Sequence, residues 1–272
     1  MSMTIRNQAN GVRTGNVLLA VNNLSKSFGG IQALSAVSMS IARGEIYGLI
    51  GPNGAGKTSF FNLLTGIYLR DAGAITFDGA PLNTSAPDAV AAAGIARTFQ
   101  NIRLFANLSA LENVMIGRHV RTHAGVWGAI LRTRSQRAEE AAIESRGREI
   151  LEFTGLTAHA NTRAASLPYG AQRRLEIARA LATEPKLLAL DEPAAGMNAT
   201  ETVELAALIR AVRAQGITVL LIEHDMKLVM SLCDRLLVLD YGKKIAEGAP
   251  AEVRANPAVI NAYLGAAHAA AG

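Results

Sequence analysis

Residues 51–58 read Gly51-Pro52-Asn53-Gly54-Ala55-Gly56-Lys57-Thr58, and Ser59 follows them. This stretch matches the pattern G-x-x-x-x-G-K-[S/T]; the apolar run Ile46–Ile50 precedes it and a helix-like pattern follows it. Glycines let the backbone curl so that successive N–H groups point at one anion, and the positive end of the following helix adds to the attraction. The stretch therefore predicts a phosphate-binding loop, in which Lys57 reaches the β- and γ-phosphates and the Thr58 hydroxyl reaches Mg²⁺.

Apolar runs and amphipathic patterns alternate on both sides of this loop. Runs typical of strands are Val17–Leu24, Val37–Ile41, Ile46–Ile50, Ala74–Phe77, Leu187–Leu190 and Ile217–Ile222, with a hairpin at Leu236–Leu239 and Lys244–Ala246. Patterns typical of helices cover 57–65, 85–94, 134–154, 173–183 and 198–215. Between about 101 and 170 the sequence has no strand-like run. The alternation predicts an α/β nucleotide-binding core that is split by a helical subdomain.

The composition excludes several classes of protein. Half of the 272 residues are hydrophobic, 18% are charged, and Cys233 is the single cysteine. One thiol cannot form an intramolecular disulfide or a cysteine-rich zinc site, and it suits a reducing compartment. No uncharged apolar run is long enough for a membrane-spanning helix, and residues 1–15 lack the apolar core of a signal peptide. We therefore expect a soluble cytoplasmic protein.

The net charge of +5 is concentrated in one segment. Residues 97–148 hold nine arginines and four glutamates, a difference equal to the whole net charge. Such a segment suits an anionic membrane surface, an acidic partner or a nucleic acid, and it equally suits a solvated helical face. Our hypothesis is that this segment, which includes Arg132 and Arg134, is the face nearest the membrane.

Polar side chains follow two of the predicted buried strands. Asp191 and Glu192 come directly after Leu187–Leu190, and His224 follows Ile217–Ile222 with an acid on each side. A buried charge needs a partner, and Mg²⁺ would supply one at the carboxyl edge of a sheet beside a phosphate site. We interpret Asp191 as a metal ligand, Glu192 as the group that orients or deprotonates the attacking water, and His224 as a hydrogen-bonding partner of phosphate or water. Solvated acids in a turn and a structural histidine are the alternatives.

Five motifs stand in order along the chain, namely Gly51–Thr58, Gln100, Leu167–Gln172, Asp191-Glu192 and His224. Their order and spacing resemble the ATP-binding subunit of ABC transporters over about residues 17–265. The resemblance implies a P-loop (RecA-like) α/β core with an antiparallel β subdomain and an inserted α-helical subdomain. We expect a disordered segment 1–16 and, because residues 265–272 are Ala-rich, a frayed tail there; the resemblance covers one ATPase domain, 17–264. Within the domain it assigns 17–99 and 171–250 to the core, 100–170 to the helical subdomain and 251–264 to a C-terminal helical tail.

The resemblance also assigns roles to single residues, with ATP and Mg²⁺ as the ligands. Residues 51–59 would bind the phosphates, Phe28 would stack on adenine, and Tyr169 and Gly170 in the signature segment would bind the γ-phosphate held by the opposite subunit. Gln100 would contact Mg²⁺ and water and sense the membrane subunits. The implied metal ligands are Thr58, Gln100 and Asp191, and the implied catalytic residues are Glu192, His224, Lys57 and Gln100.

Several positions depart from the family's pattern. The signature usually reads L-S-G-G-Q, whereas this chain has Pro168 for the serine, Tyr169 for the first glycine and Ala171 for the glutamine. Asn198 replaces the usual aspartate of the loop 195–198 that connects the two sites. Pro168 has neither a hydroxyl nor an N–H, so the site either works through the backbone donors after it or is weakened.

Longer stretches resemble one branch of this family, the ATPases of bacterial high-affinity branched-chain amino acid uptake systems; they are Arg97–Phe105, Tyr169–Arg179, Glu192–Gly196, Glu223–Val229 and Asn256–Leu264. This implies a second ATPase subunit, identical or different, two membrane permease subunits and, indirectly, a periplasmic solute-binding protein. The chain would then lie at the cytoplasmic face of the inner membrane, and no nucleic acid is expected as a partner. The alternatives are the ATPase of another transporter, for amides, urea or lipids, and a DNA-maintenance or translation-factor ATPase. The last two are disfavoured because the interval between Lys57 and Gly170 has no sustained heptads and one cassette is present.

Overall fold

The computed structural model of the chain describes residues 16–118 and 134–269, with side chains for 16–118 and 138–264. Its larger sheet has six strands in the order β10-β9-β3-β8-β7-β6. These strands are β3 (Ile46–Ile50), β6 (Ile95–Arg97), β7 (Leu187–Asp191), β8 (Thr218–Ile222), β9 (Arg235–Asp240) and β10 (Lys243–Gly248). All neighbours are parallel except β9 and β10, which form a hairpin. The carboxyl ends of β3, β7 and β8 therefore meet at one edge.

The second sheet is antiparallel and has the strand order β2-β1-β4-β5. Its strands are β1 (Val17–Phe28), β2 (Ile31–Ala42), β4 (Ala72–Phe77) and β5 (Ala80–Pro81). Asp78 and Gly79 connect β4 to β5 with φ angles of 53° and 80°, the left-handed backbone that a tight hairpin turn requires. The sheet covers α1 and one face of the larger sheet, as the shared buried cluster shows.

Nine helices lie among the described residues. They are α1 (Lys57–Leu64), α2 (Pro87–Ala93), α3 (Ala110–Arg118), α4 (Arg134–Phe153), α5 (Tyr169–Leu181), α6 (Ala199–Ala214), α7 (Met226–Leu232), α8 (Pro250–Ala255) and α9 (Pro257–Ala269), with single 3₁₀ turns at Thr157–His159 and Ala164–Ser166. Between residues 100 and 170 the described elements are helical, and α3 packs against both α4 and α5. Among the described residues, no helix is both long and apolar enough to cross a bilayer.

Two buried clusters lie on opposite faces of the larger sheet. Ile46 and Ile50 point to the cluster that includes side chains of α3 to α7. Tyr47 and Leu49, the alternate residues of the same strand, point to the cluster formed with α1 and the antiparallel sheet. Burial on both faces explains why β3 is a continuous apolar run, since parallel strands covered on both sides need no alternation.

The structure confirms the predicted fold class and corrects several boundaries. β1 and β2 are longer than predicted because their outer parts, such as residues 25–28, are only partly buried and so lack an apolar pattern. β5, β6 and α7 were not predicted, since each is too short for a periodic signal. α5 begins at Tyr169 rather than Arg173. Helix α9 continues to Ala269, inside the tail 265–272, and the fraying of that tail remains a prediction.

Some predictions fall on parts of the chain that the structure does not describe. The predicted disordered segment 1–16 lies outside the described residues except for Asn16. The same holds for Arg121 and Arg132, and for the side chains of Arg134 and Arg137. The domain boundaries given above therefore remain predictions.

Candidate functional site

Residues 51–58 form a tight loop between β3 and α1. Gly51 and Gly56 have φ angles of 150° and 101°, a region that only glycine enters readily. A Cβ on Gly51 would lie 2.1 Å from the carbonyl oxygen of Leu239, and one on Gly56 would lie 2.6 Å from that of Ala33. The loop can close against these neighbours because both positions are glycine.

Lys57 is the first residue of α1, and its ammonium group lies against the loop. Nζ donates to the carbonyl oxygens of Gly51 at 2.7 Å and Pro52 at 2.9 Å, and the residue is only 8% exposed. Burial lowers the pKa of Lys57, and the nearby carboxylates of Glu192 and Asp191 act in the opposite direction. The loop thus holds a positive charge at the place where its backbone would receive an anion.

Asp191 ends β7 and is paired with an arginine of the neighbouring strand. Arg97 donates from Nη2 to Asp191 Oδ2 at 2.8 Å, with both side chains less than a tenth exposed. Arg97 Nη1 also donates to Asn62 at 2.7 Å and Thr65 at 3.0 Å. The predicted contact of Asp191 with Mg²⁺ remains a prediction, and the sequence did not predict Arg97 as a partner of this carboxylate. A buried carboxylate needs a cation beside it, and the parallel pairing of β6 with β7 brings this one into reach.

Three of the predicted catalytic residues come together beside Asp191. Gln100 Nε2 donates to Glu192 Oε2 at 2.8 Å, and His224 Nδ1 lies 3.8 Å from the same oxygen. The Glu192 N–H donates to the carbonyl of Ile222 at 2.9 Å, which ties the end of β7 to the end of β8. Glu192 has a positive φ of 46°, an uncommon backbone for a residue other than glycine and one that often occurs at functional sites. The carboxylate therefore has an amide and an imidazole on two sides.

Five side chains therefore lie at one edge of the main sheet: the ammonium of Lys57, the carboxylates of Asp191 and Glu192, the amide of Gln100 and the imidazole of His224. A cavity at this edge is lined by Thr58, Gln100 and Asp191, among others. The sequence predicted that Lys57, Asp191, Glu192 and His224 converge, because the buried strands before them were expected to be parallel and to end on the same side. Gln100 was assigned to the site only through the family resemblance. Such a site can bind an anion through its loop and activate a water molecule through Glu192.

Phe28 lies at the end of β1 and is not a core residue. Its ring is 41% exposed and packs edge-on against Tyr68, with the ring centres 5.1 Å apart. Lys26 Nζ lies 5.3 Å from the ring centre. Phe28 therefore keeps exposed aromatic surface, and its predicted contact with adenine remains a prediction.

Tyr169 and Gly170 begin α5, and their contacts are with the segment that follows Glu192. The Tyr169 hydroxyl donates to the carbonyl of Ala195 at 2.8 Å. A Cβ on Gly170 would lie 2.6 Å from the carboxylate of Glu201 in α6. Pro168 precedes the helix and gives it no side-chain cap.

The described arginines of the segment 97–148 mostly have partners within the chain. Arg118 pairs with Glu184, Arg146 with Glu149 and Arg148 with Glu144, and Arg97 is buried at the site itself. Exposed ion pairs of this kind contribute little to stability, and the membrane-facing role of the segment remains a prediction.

Several residues that organise the site were not predicted from the sequence. Glu223 is buried and accepts from the backbone N–H groups of Ala194 at 2.8 Å and His224 at 3.1 Å. Burial raises the pKa of Glu223. Its signal was present, since it follows a buried strand as Asp191 does. Arg97, Arg173 and Glu176 gave no signal of their own, because their partners are distant in sequence or depend on strand register.

Comparisons with known proteins agree with this geometry. Residues 34–195 match the family model described as ABC transporter, and residues 243–269 match the model described as branched-chain amino acid ATP-binding cassette transporter. The chain is 47% identical to the high-affinity branched-chain amino acid transport ATP-binding protein LivG of Salmonella typhimurium, over 92% of this chain and 98% of the relative. It is 44% identical to BraF of Pseudomonas aeruginosa, a protein with the same description, over the same shares.

The chain also resembles the solved structure of the ATP-binding cassette MJ1267 in its ADP conformation, with 32% sequence identity and a TM-score of 0.80. The match covers 92% of this chain and 99% of the MJ1267 chain. The cassette cbiO1 from Clostridium perfringens has a TM-score of 0.76 at 30% identity, over 90% and 94%. The predicted family is confirmed, because one family model spans more than half of the chain and relatives are nearly half identical over almost its full length. The chain belongs to the ATP-binding proteins of ABC transporters.

Proposed function

We propose that the chain is the ATP-hydrolysing subunit of an importer of branched-chain amino acids. One observation carries the proposal: Lys57 of the loop meets the adjacent carboxylates Asp191 and Glu192 at the end of β7, at one edge of the main sheet, and Gln100 donates a hydrogen bond to Glu192. The names of LivG and BraF support the branched-chain solute. The match of residues 243–269 to a branched-chain transporter model supports it independently.

The phosphates of ATP would lie over the loop 51–59, where the backbone N–H groups and α1 attract them. Lys57 would then exchange the carbonyls of Gly51 and Pro52 for phosphate oxygens. Phe28, with a partly exposed ring, would receive the adenine.

Mg²⁺ fits the residues that line the cavity at the sheet edge. Thr58, Gln100 and Asp191 offer hydroxyl, amide and carboxylate oxygens, which are the ligands that Mg²⁺ takes in proteins. When bound, the ion would neutralise charge on the phosphates. Asp191 would then divide its two oxygens between the ion and Arg97.

Glu192 would act as the base that orients or deprotonates water for attack on the γ-phosphate. Gln100 would hold the Glu192 carboxylate through the hydrogen bond of 2.8 Å. His224, which has a largely exposed side chain 3.8 Å from Glu192, would donate to the phosphate or to the water. Proton transfer by a positioned side chain contributes roughly 10²- to 10⁴-fold to turnover.

A second ATP-binding subunit, identical or different, would complete the site. The start of α5, with Tyr169 and Gly170, has no side-chain cap, so its backbone N–H groups and helix dipole remain for the γ-phosphate held by the opposite subunit. Pro168 removes the hydroxyl that the family signature usually supplies, so this contact would rest on the backbone.

Two permease subunits would dock over the cavity that Gln100 lines. This cavity has a volume of about 1120 Å³. Phe105, which lines it, is 48% exposed, and the guanidinium carbon of Arg179 lies 5.7 Å from the centre of its ring. An aromatic and cationic groove suits an amphipathic segment of a membrane partner. The chain would then lie at the cytoplasmic face of the inner membrane, and a periplasmic binding protein would deliver the solute.

The proposal is tested by uptake into proteoliposomes that contain the chain, its permease subunits and internal ATP, with the binding protein outside. We expect ATP-dependent uptake of labelled leucine, isoleucine or valine. With Glu192→Gln we expect ATP binding to remain while turnover and uptake fall roughly a hundredfold or more, because the base is lost. Uptake of amides or urea instead of these amino acids would contradict the solute assignment, and normal turnover by Glu192→Gln would contradict the base assignment.

A further inference from the structure

The side chain of Arg173, on α5, is buried and spans two segments of the site. It is 4% exposed, and it donates from Nη1 to the carbonyl of Phe99 at 3.0 Å and from Nη2 to that of Gln100 at 2.6 Å. These two carbonyls belong to the segment whose amide holds Glu192. The planar guanidinium group, with five donors in a fixed fork, fixes the position of this backbone more firmly than a single ammonium could.

Tyr169, one turn earlier on α5, links the same arginine to the loop after Glu192. Its hydroxyl accepts from Arg173 Nε at 3.1 Å and Nη2 at 2.9 Å, and it donates to the carbonyl of Ala195 at 2.8 Å. The ring lies against Gly196, where an added Cβ would be only 3.1 Å from Cε1. Tyr169 stands where the family pattern usually has glycine, which could make none of these contacts.

Glu176 holds the other end of the same segment. Its Oε1 accepts from the backbone N–H of Arg103 at 2.9 Å, and its Oε2 lies 3.4 Å from Arg173 Nη1. Glu176 is buried, so the pair is shielded from solvent. Residues 99–103 are therefore fixed to α5 at both ends by polar groups of that helix.

We propose that Tyr169 and Arg173 are positioning residues that hold Gln100 beside Glu192 and couple its placement to α5. This inference rests on the proposed function and deepens it. Because Gln100 also lines the groove proposed for the permease, a displacement of α5 or of a segment in the groove would move its amide relative to Glu192. Tyr169, which stands in place of the usual signature glycine, would then have a structural role. Its hydroxyl connects α5 to the loop at Ala195 and, through Arg173, to the segment 99–103.

The test uses the complete complex with its permease subunits. Tyr169→Phe removes one hydroxyl, Arg173→Gln removes the charge and the fork, and Arg173→Lys restores the charge alone. The matched control is Arg174→Gln, which makes the same change at the neighbouring residue. Arg174 is partly exposed, and its Nη1 lies 3.3 Å from Glu204 Oε2 rather than beside residues 99 and 100. The measurements are kcat and KM for ATP, and the ratio of ATP turnover in the complex to that of the isolated chain.

We expect Tyr169→Phe and Arg173→Gln to lower kcat in the complex by roughly tenfold, with the KM for ATP within about twofold of the wild-type value. The ratio of complex to isolated turnover should also fall, and the double variant should be no worse than Arg173→Gln because the two residues act as one unit. Arg173→Lys should restore little, and Arg174→Gln should behave as wild type.

A rise in KM for Tyr169→Phe with unchanged kcat would overturn the inference, because it would make Tyr169 a direct contact of the nucleotide. So would a turnover ratio equal to that of Arg174→Gln. If Arg173→Gln does not fold, as judged by thermal unfolding, Tyr169→Phe decides alone. Absence of ATP turnover in the wild-type complex would instead contradict the proposed function, so the two failures are distinguishable.

Discussion

At the level of single residues, three buried charges near the carboxyl edge of the main sheet are each held by a different kind of partner. Lys57 donates to loop carbonyls, Asp191 pairs with Arg97, and Glu223 accepts from backbone N–H groups. Removing one member of such a set leaves the other without a partner in a poorly solvated place, which costs more than the contact itself contributes. We therefore expect substitutions of these three residues to destabilise the site.

For Lys57→Ala we expect the dissociation constant for ATP to rise roughly 10- to 100-fold, because a charge-assisted bond to phosphate contributes about 1.5–3 kcal/mol. Equilibrium binding of a fluorescent ATP analogue measures this. The matched control is Lys227→Ala, which removes an exposed lysine outside the loop. Unchanged affinity in Lys57→Ala would contradict the phosphate-loop assignment.

The sequence was sufficient to predict Lys57, Asp191, Glu192 and His224 as neighbours, because each follows an apolar strand and parallel strands end on one side. It was not sufficient to predict the partner of Asp191. That pairing depends on the register of β6, a strand of three residues (Ile95–Arg97) with no periodic signal, against β7. The same reason hides Arg173, whose acceptors on Phe99 and Gln100 lie about seventy residues earlier.

At the level of elements, the loop between β3 and α1 depends on glycines that approach other backbone segments. A Cβ on Gly56 would meet the Ala33 carbonyl at 2.6 Å, whereas Gly54, with a φ of 78°, has nothing within 4 Å. An alanine at position 54 would therefore only have to adopt a left-handed backbone, whereas an alanine at position 56 would also clash with the Ala33 carbonyl. Sequence patterns predict that the loop forms, but the contact with Ala33 of β2 is visible only in the fold.

We expect Gly54→Ala to lower the free energy of unfolding by about 1–2 kcal/mol, the cost of a left-handed alanine. Gly56→Ala should lower it further and should weaken ATP binding, because the loop must open to relieve the clash. Chemical denaturation of both variants, with ATP binding measured alongside, tests this. Equal stability and equal binding in the two variants would contradict the role of the close approach at Gly56.

At the level of the whole molecule, the site lies where the core meets the helices of residues 100–170. The cavity there is lined by residues of both parts, from Thr58 and Asp191 to Gly117 and Arg179. Helices α3 to α5 share one buried cluster with the main sheet. Hydrogen bonds from Arg173 to residues 99 and 100, and from Gln100 to Glu192, connect the lining of this cavity to the carboxylate.

The groove hypothesis predicts the effect of Phe105→Ser. Burial of a phenylalanine side chain contributes about 1.5–3 kcal/mol, so permease association should weaken roughly tenfold or more, with ATP binding by the isolated chain unchanged. Co-purification with the permease subunits, quantified against wild type, measures the effect. The control is Val203→Ser, which removes a 69% exposed apolar side chain of α6; equal association of both variants would contradict the assignment of the groove.

The most direct measurement is a crystal structure of the Glu192→Gln variant with ATP and Mg²⁺. We predict that Lys57 Nζ leaves the carbonyls of Gly51 and Pro52 and lies about 3 Å from an oxygen of the terminal phosphates, with Asp191 beside the metal and residue 192 facing the γ-phosphate. A nucleotide bound elsewhere, or Lys57 and Asp191 too far apart to reach a common phosphate and its metal, would contradict the proposal that these residues form one hydrolytic site.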